Sequence, residues 1–283
     1  MRRRMSRIAL PTAMVLGLTA LGTAASAQPR LSIPEGVTTD RFSADPWAAS
    51  IDLGFTDPDE DDAVRYAVRA DLYGQILGQA GAHRVGGYAA LPYARLDPEG
   101  GEDAIGKLGH LELGGLFTTA AGPTTDAVLR GGVAFEVSDD DEFDSLVLAS
   151  TSLGRLSEAS IGAPGVTWAR LSGSLLHRSP PYFARGDFGV DVPFGQDGAD
   201  PFVRLDLAAG VDFQSVALLG ELANLVSFDG SDEETLLSTF AVTLRVPTGT
   251  LSPALSVVIP LDDALQELVD FVVVVGVRAA GGG

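Results

Sequence analysis

From about residue 49 onward, apolar and polar positions alternate one for one. Val64, Tyr66, Val68, Ala70 and Leu72 are interleaved with Arg65, Ala67, Arg69, Asp71 and Tyr73. Leu129, Gly131, Val133, Phe135 and Val137 are interleaved with Arg130, Gly132, Ala134 and Glu136. Val203, Leu205, Leu207, Ala209 and Val211 repeat the pattern against Arg204, Asp206, Ala208, Gly210 and Asp212. A period of two predicts strand, not helix. Segments of this kind run near 49–55, 64–76, 84–96, 108–117, 127–137, 166–176, 183–194, 201–212, 215–225, 236–246, 252–260 and 269–278. Most have the length of a tilted bilayer-crossing strand, about 9–11 residues. The connections are rich in Gly, Pro, Asp and Ser, as turns require. Residues 28–46 show no period and read as an irregular segment before the first strand. A helix is expected between Glu142 and Leu156, inside the longest connection.

Alternation leaves open which way the apolar face points. A soluble β-sandwich or lipocalin-like barrel turns it inward, and a membrane barrel turns it to lipid. Three features favour lipid. First, alternate connections differ. Those near 56–63, 97–107, 138–165, 195–200, 226–235 and 261–268 carry 24 acidic residues against Lys107 and Arg155. Those near 77–83, 118–126, 177–182, 213–214 and 247–251 are shorter and carry only Asp126 and Arg178. In an up-and-down barrel, alternate connections share an end, so the contrast fits long outer loops and short periplasmic turns. Second, the polar face balances its charges. Arg65, Arg69, Arg130, Arg170, Arg185, Arg204, Arg245 and Arg278 stand with Asp52, Asp71, Glu112, Glu136, Asp187, Asp191, Asp206, Asp212, Glu221 and Asp270. A confined interior favours such balance, because unpaired buried charge is costly. Third, Phe55, Phe117, Tyr182, Phe194, Phe202, Phe213 and Phe271 fall near strand ends, where interface girdles sit.

Composition adds a compartment. Arg2, Arg3, Arg4 and Arg7, an apolar run from Ile8 to about Leu21, and Ala25-Ser26-Ala27 predict a signal peptide over 1–27. Without it the chain holds 15 basic and 38 acidic residues. Such acidity argues against nucleic-acid binding through phosphates. The absence of cysteine excludes disulfides, thiolate metal sites, a cysteine nucleophile and a lipoprotein-type anchor. The expected organisation is a signal peptide (1–27), an irregular segment (28–46) and one β-barrel domain (47–283).

The stretch from Pro253 through Ile259-Pro260-Leu261 to Phe271-Val-Val-Val-Val-Gly-Val-Arg278 resembles the closing hairpin of small outer-membrane barrels of the phenol-degradation-associated transporter type. The resemblance covers roughly the last third, about residues 200–278, and implies a transmembrane barrel with an uptake role. Barrels of that type end in an aromatic residue read by the assembly machinery; this sequence instead ends Arg278-Ala-Ala-Gly-Gly-Gly283.

Candidate chemistry is sparse. His110 and Glu112 share the polar face, but one His and one carboxylate fall short of a metal's three or four ligands. His177-Arg178-Ser179 resembles the His-x-Ser of outer-membrane phospholipases, yet Pro180-Pro181 follows and no third group orients the base. The acidic runs Asp57–Asp62 and Asp139–Asp144 lack EF-hand spacing and read as solvated loop ends, with weak divalent binding to lipopolysaccharide as the sharper alternative.

The sequence therefore predicts an all-β, up-and-down antiparallel transmembrane β-barrel of about 12 strands. It is read as a non-enzymatic narrow channel or uptake protein for a small solute in the outer membrane, with no cofactor and no metal. The expected partners are outer-membrane lipid, lipopolysaccharide, the barrel-assembly machinery and a small solute. The expected lumen lining, as selectivity ladder or ion-pair network, is Arg65, Arg69, Asp71, His110, Glu112, Arg130, Glu136, Arg170, Arg185, Asp187, Asp191, Arg204, Asp206, Asp212, Glu221 and Arg245. The alternatives are a non-transporting surface or structural barrel with acidic cation- or partner-binding loops, and a soluble periplasmic β-sandwich or lipocalin-like binder.

Overall fold

The computed structural model describes residues 35–58, 64–98, 104–137, 152–162, 165–194, 200–213, 215–228, 234–267 and 269–281. The strands are β1 (Trp47–Pro58), β2 (Val64–Ala80), β3 (His83–Pro98), β4 (Ile105–Leu108), β5 (Leu111–Gly122), β6 (Thr125–Phe135) and β7 (Thr167–Ser179). They continue with β8 (Tyr182–Phe194), β9 (Phe202–Asp212), β10 (Ala217–Phe228), β11 (Glu234–Arg245), β12 (Leu251–Pro260) and β13 (Val269–Gly281). Each pairs antiparallel with its sequence neighbour, β5 pairs with β3, and β1 pairs with both β2 and β13, which closes the sheet on itself. The result is the antiparallel up-and-down β-barrel that the alternation predicted, with 12 strands around its wall.

Thirteen strands make twelve wall positions because β4 and β5 are halves of one. The break falls at Gly109–His110. It lies opposite Pro92 of β3, which has no N–H to give to a ladder. Gly109 N–H donates to the Pro92 carbonyl (2.8 Å), while His110 N–H turns to Ile161 (2.9 Å).

The apolar face points outward. On β9, Leu205 and Leu207 are 48% and 49% exposed, whereas Arg204 and Asp206 between and beside them are 1% exposed. Ile51 and Phe55 on β1, Leu171 and Leu175 on β7, and Val275 and Val277 on β13 behave like Leu205. A soluble sandwich or lipocalin-like fold would invert this order, so that alternative is overturned. Trp47, Phe55, Tyr182, Phe194, Phe213 and Phe271 are exposed at or near strand ends. Among the described residues, no helix is long and apolar enough to cross a membrane.

The interior is layered. At the end closed by short turns, Tyr73, Leu77, Tyr88, Leu116, Val128, Leu176, Phe183 and Leu219 form an apolar layer around Phe42. Charged side chains fill the middle. Toward the long-loop end, Ile161, Val166 and Trp168 make one apolar cluster, and Leu156, Ala223 and Leu225 another. The inward apolar layer departs from the inner face of polar and small residues read in the sequence. Its residues keep the inward parity of their strands, and Phe42 supplies the apolar partner that makes burying them favourable.

Two segments occupy the lumen. Residues 35–46, without helix or strand, are almost wholly buried inside the barrel. From the long-loop end, a kinked 3-10 segment, Ser152–Gly162, enters the lumen, leaving helical geometry at Arg155 and Glu158. The expected helix over 142–156 is thus corrected where it can be seen. Residues 142–151 lie outside the described residues, and 152–162 is 3-10 and sits within the barrel.

Candidate functional site

The centre of the lumen is a closed ring of alternating charge. Glu112 of β5 accepts from Arg130 of β6 (2.6 Å) and from Arg170 of β7 (2.6 Å). Arg170 also pairs with Asp191 of β8 (3.1 Å), which pairs with Arg204 of β9 (3.1 Å). Arg204 and Arg130 then meet on one carboxylate oxygen of Asp40, at 3.1 and 3.2 Å. Five members belong to the wall; Asp40 comes from the N-terminal segment and completes the ring. Ser172 donates to its other oxygen (2.8 Å). Burial by itself raises the Asp40 carboxyl, but Arg204 and Arg130 outweigh it and hold Asp40 well below the usual carboxylate range.

The rest of the N-terminal segment is clamped the same way. Both its ends lie near the short turns, and its middle reaches the ring. Glu221 of β10 accepts from three successive backbone N–H groups, those of Val37 (3.0 Å), Thr38 (2.8 Å) and Thr39 (3.3 Å). Its approach needs Gly36, since a Cβ there would collide with the Glu221 carboxylate. Arg185 donates to the Phe42 carbonyl (2.9 Å), Arg84 to Ala44 (2.5 Å) and Arg245 to Glu35 (3.0 Å). Arg278 pairs with the carboxylates of Glu35 and Asp45. Gln75 bonds the backbone of Ser43 and Asp45. Phe42 fits edge-on to Tyr88 (4.8 Å) and Tyr73 (5.6 Å), and Arg130 lies 4.3 Å above its ring.

The segment from the long loop meets the N-terminal segment in mid-lumen. Arg41 pairs with Glu158 (2.5 Å) and with Asp71 of β2 (3.3 Å). Arg155 pairs with Asp52 (2.6 Å), Ser160 donates to Asp191 (2.6 Å), and Arg69 holds both Asp71 (2.9 Å) and Ser152 (2.9 Å). The two inserted segments are therefore latched to each other as well as to the wall.

Of the residues expected to line the lumen, Arg69, Asp71, His110, Glu112, Arg130, Arg170, Arg185, Asp187, Asp191, Arg204, Asp206, Glu221 and Arg245 are buried in the interior. The Arg65 side chain lies outside the described residues, as do the acidic runs 59–62 and 139–144. Two others stand elsewhere. Glu136 lies one residue past β6, exposed at the rim, and accepts from Gly165 N–H (2.8 Å). Asp212 ends β9 and pairs with half-exposed Arg178 at the short-turn rim (3.3 Å). Parity assigns a face only within the paired wall, and both residues sit at its edges. Asp270, placed on the polar face by parity, is likewise exposed near the long-loop rim.

His110 and Glu112 do not share a ligand. His110 Nδ1 faces the Ile161 carbonyl (3.2 Å), while Glu112 takes Tyr88 and two arginines. No group of three metal-ligating side chains occurs among the described residues. His177 is exposed and bonds Thr125 (2.9 Å) at the short-turn end. The sequence reading missed Glu35, Asp40, Arg41, Asp45, Arg155 and Glu158. The available signal was five charges within 28–46, a density suited to a charge-lined cavity.

No protein-family model matches the chain, and no curated protein matches it by sequence. Among solved structures it is similar to the crystal structure of the COG4313 outer membrane channel from Pseudomonas putida F1. The TM-score is 0.62 at 11% identity, over 89% of this chain and 100% of that one. A second similar structure is the β domain of the Bordetella autotransporter Brka, with TM-score 0.43, 14% identity, 84% of this chain and 99% of that one. The first likeness is one of fold, a closed antiparallel barrel of the outer-membrane kind.

Proposed function

We propose that this chain is an outer-membrane channel, held shut at rest by its own N-terminal segment, that takes up a small solute. Residues 1–27 act as its signal peptide, the short turns face the periplasm, and the acidic long loops face outward. One observation carries the reading: two inserted segments occupy the lumen and complete its packing, Asp40 closing the charged ring and Phe42 the apolar layer. What is inserted from an end can leave by that end. The outward apolar belt and the fold shared with an outer membrane channel support the membrane location.

The same packing favours a second reading, a structural barrel that never opens. Conductance separates them. The mature chain, a variant lacking residues 35–45, and a cysteine pair at Ser43 and Gln75 are compared in planar bilayers. The native chain has no cysteine, so the engineered pair is the only disulfide. Deletion should give a large, steady conductance, the native chain brief openings, and the oxidised pair none until reduced. A closed lumen in the deletion variant would refute the channel reading.

A further inference from the structure

We propose that the wall carries a carboxylate-binding site, formed by Arg130, Arg204 and Ser172, which Asp40 occupies as a built-in ligand and for which a small carboxylate solute competes. The inference deepens the channel reading and rests on it for its physiological meaning, though the site can be tested without any conductance.

The argument is one of charge and geometry. The five wall members of the ring are three arginines and two carboxylates, Glu112 and Asp191. Each of these carboxylates is bound by two of the arginines, and the wall set alone carries an excess of one positive charge. Arg130 and Arg204 each keep one guanidinium nitrogen on a wall carboxylate and aim another at the same point, the Asp40 Oδ1. Ser172, on β7, aims its hydroxyl at Oδ2 (2.8 Å). Three donors from three strands thus converge on one carboxylate, and none of the three residues depends on the N-terminal segment for its own position in the sheet. Two guanidinium donors and a hydroxyl form a charge-assisted carboxylate receptor. Without Asp40 the two arginines would be buried with an unmatched charge, which a low-dielectric interior strongly disfavours. When the segment is out, the place it leaves between the two guanidinium groups favours an anion, and the donor geometry selects a carboxylate. Asp206, two residues along β9 from Arg204, has both oxygens without a hydrogen-bond partner among the described residues. Asp187, opposite it on the adjacent strand, is already held by Arg185 (2.8 Å), so Asp206 is the carboxylate that faces the short-turn side of the site and disfavours a second carboxylate group on the ligand.

The same probe, formate, tests the site and the competition. In detergent, Asp40→Ala removes the carboxylate and leaves a formate-sized space. Formate should raise the heat-unfolding midpoint of this variant over chloride at equal ionic strength. It should have no such effect on Asp40→Asn, which fills the space, or on Asp40→Ala combined with Arg204→Gln. No difference between formate and chloride on Asp40→Ala would overturn the site. The competition is read on the unaltered mature chain in vesicles, by trypsin cleavage after Arg41, a bond buried while the segment is docked. At ten times its dissociation constant, formate should speed that cleavage about tenfold, whereas formamide should not. Stabilised Asp40→Ala with unchanged cleavage of the native chain would overturn competition. Conductance that stays absent in every form, with both formate effects present, would instead refute the channel reading.

Discussion

The two segments in the lumen enter from opposite ends and are held on opposite principles. Residues 35–46 have no regular structure and bring mainly acceptors: the carboxylates of Glu35, Asp40 and Asp45, and the carbonyls of Glu35, Phe42 and Ala44. The wall supplies the cations. The segment's apolar anchors are the Phe42 ring at the short-turn end and the smaller Val37 in a separate cluster. Residues 152–162 bring their own Arg155 and Glu158 and seat Leu156 and Ile161 in separate apolar clusters. Removing the first segment strips six wall arginines, Arg84, Arg130, Arg185, Arg204, Arg245 and Arg278, of acceptors. Removing the second takes Arg155 from Asp52 and Glu158 from Arg41, which keeps Asp71. The N-terminal segment is thus a ligand of the wall, and the loop segment is a second small core. The difference marks the N-terminal segment as the one that charge can release.

The comparison breaks most readily at Phe42. Phe42→Ala removes a buried ring, a change that typically weakens packing by about 3–5 kcal/mol. Because the ring belongs to an inserted segment, undocking and not barrel unfolding should follow. Trypsin cleavage after Arg41 should rise by orders of magnitude, with the heat-modifiable mobility of the barrel unchanged. Equal cleavage of variant and native chains would show that the arginines alone suffice. Leu156→Ala makes the matching cut in the loop segment, with an expected loss of about 2–5 kcal/mol. Proteolysis should then appear within 152–162, and cleavage after Arg41 should change little. Parallel release of both segments would erase the distinction between ligand and core.

How far each region could be read from the sequence follows the same division. The wall was legible because lipid outside and charge inside impose a period of two on every strand, so Leu205 and Asp206 disclose their faces without any partner being known. The break at Gly109–His110 was not, since it depends on Pro92 standing opposite, a matter of register. Parity also failed where the wall ends, at Glu136, Asp212 and Asp270. The inserted segments were opaque for a different reason. Asp40 meets Arg130 and Arg204 across 90 and 164 residues, and Glu35 meets Arg278 across 243. Neither segment has an amphipathic period, because each is surrounded by wall on all sides and has no solvent face to mark. Charge balance on the polar face pointed to a confined interior, yet did not reveal that Asp40 completes it.

The latch between the segments sharpens the comparison further. Glu158→Gln keeps the shape of the side chain and removes the charge facing Arg41, a loss of about 1–3 kcal/mol for a buried, charge-assisted bond. If the segments are coupled only here, Glu158→Gln should speed cleavage after Arg41 modestly. Read by chymotrypsin cleavage after Phe42, because Arg41→Ala removes the trypsin site, the double variant should be cut no faster than Arg41→Ala alone. Strict additivity in this double-mutant cycle would mean that the two segments occupy one lumen independently.

Acid should undo the same latch by the smallest increment, since protonation can neutralise no more of Glu158 than the Gln variant does. Burial alone would raise the Glu158 carboxyl. Arg41 first, then Arg155, Arg170 and Arg69, outweigh that effect and bring it from 4.5 to about 2. A carboxylate whose docked pKa is depressed contributes stability above its free value and loses it as pH falls toward the docked one. The latch should therefore hold above about pH 4.5 and weaken between there and about pH 2. Asp40, also depressed, acts in the same direction. Glu35 acts in the opposite one. Burial raises its carboxyl despite Arg278, Arg185 and Arg245, so its docked form gains stability as pH falls and loses it as pH rises. Pepsin cleavage beside Phe42, compared between the native chain and Glu158→Gln at each pH, cancels the protease's own pH profile. The Gln variant should be cut faster near pH 4, and the two rates should converge toward pH 2. A ratio that stays constant across that window would show that Glu158 holds the N-terminal segment by shape, not by charge.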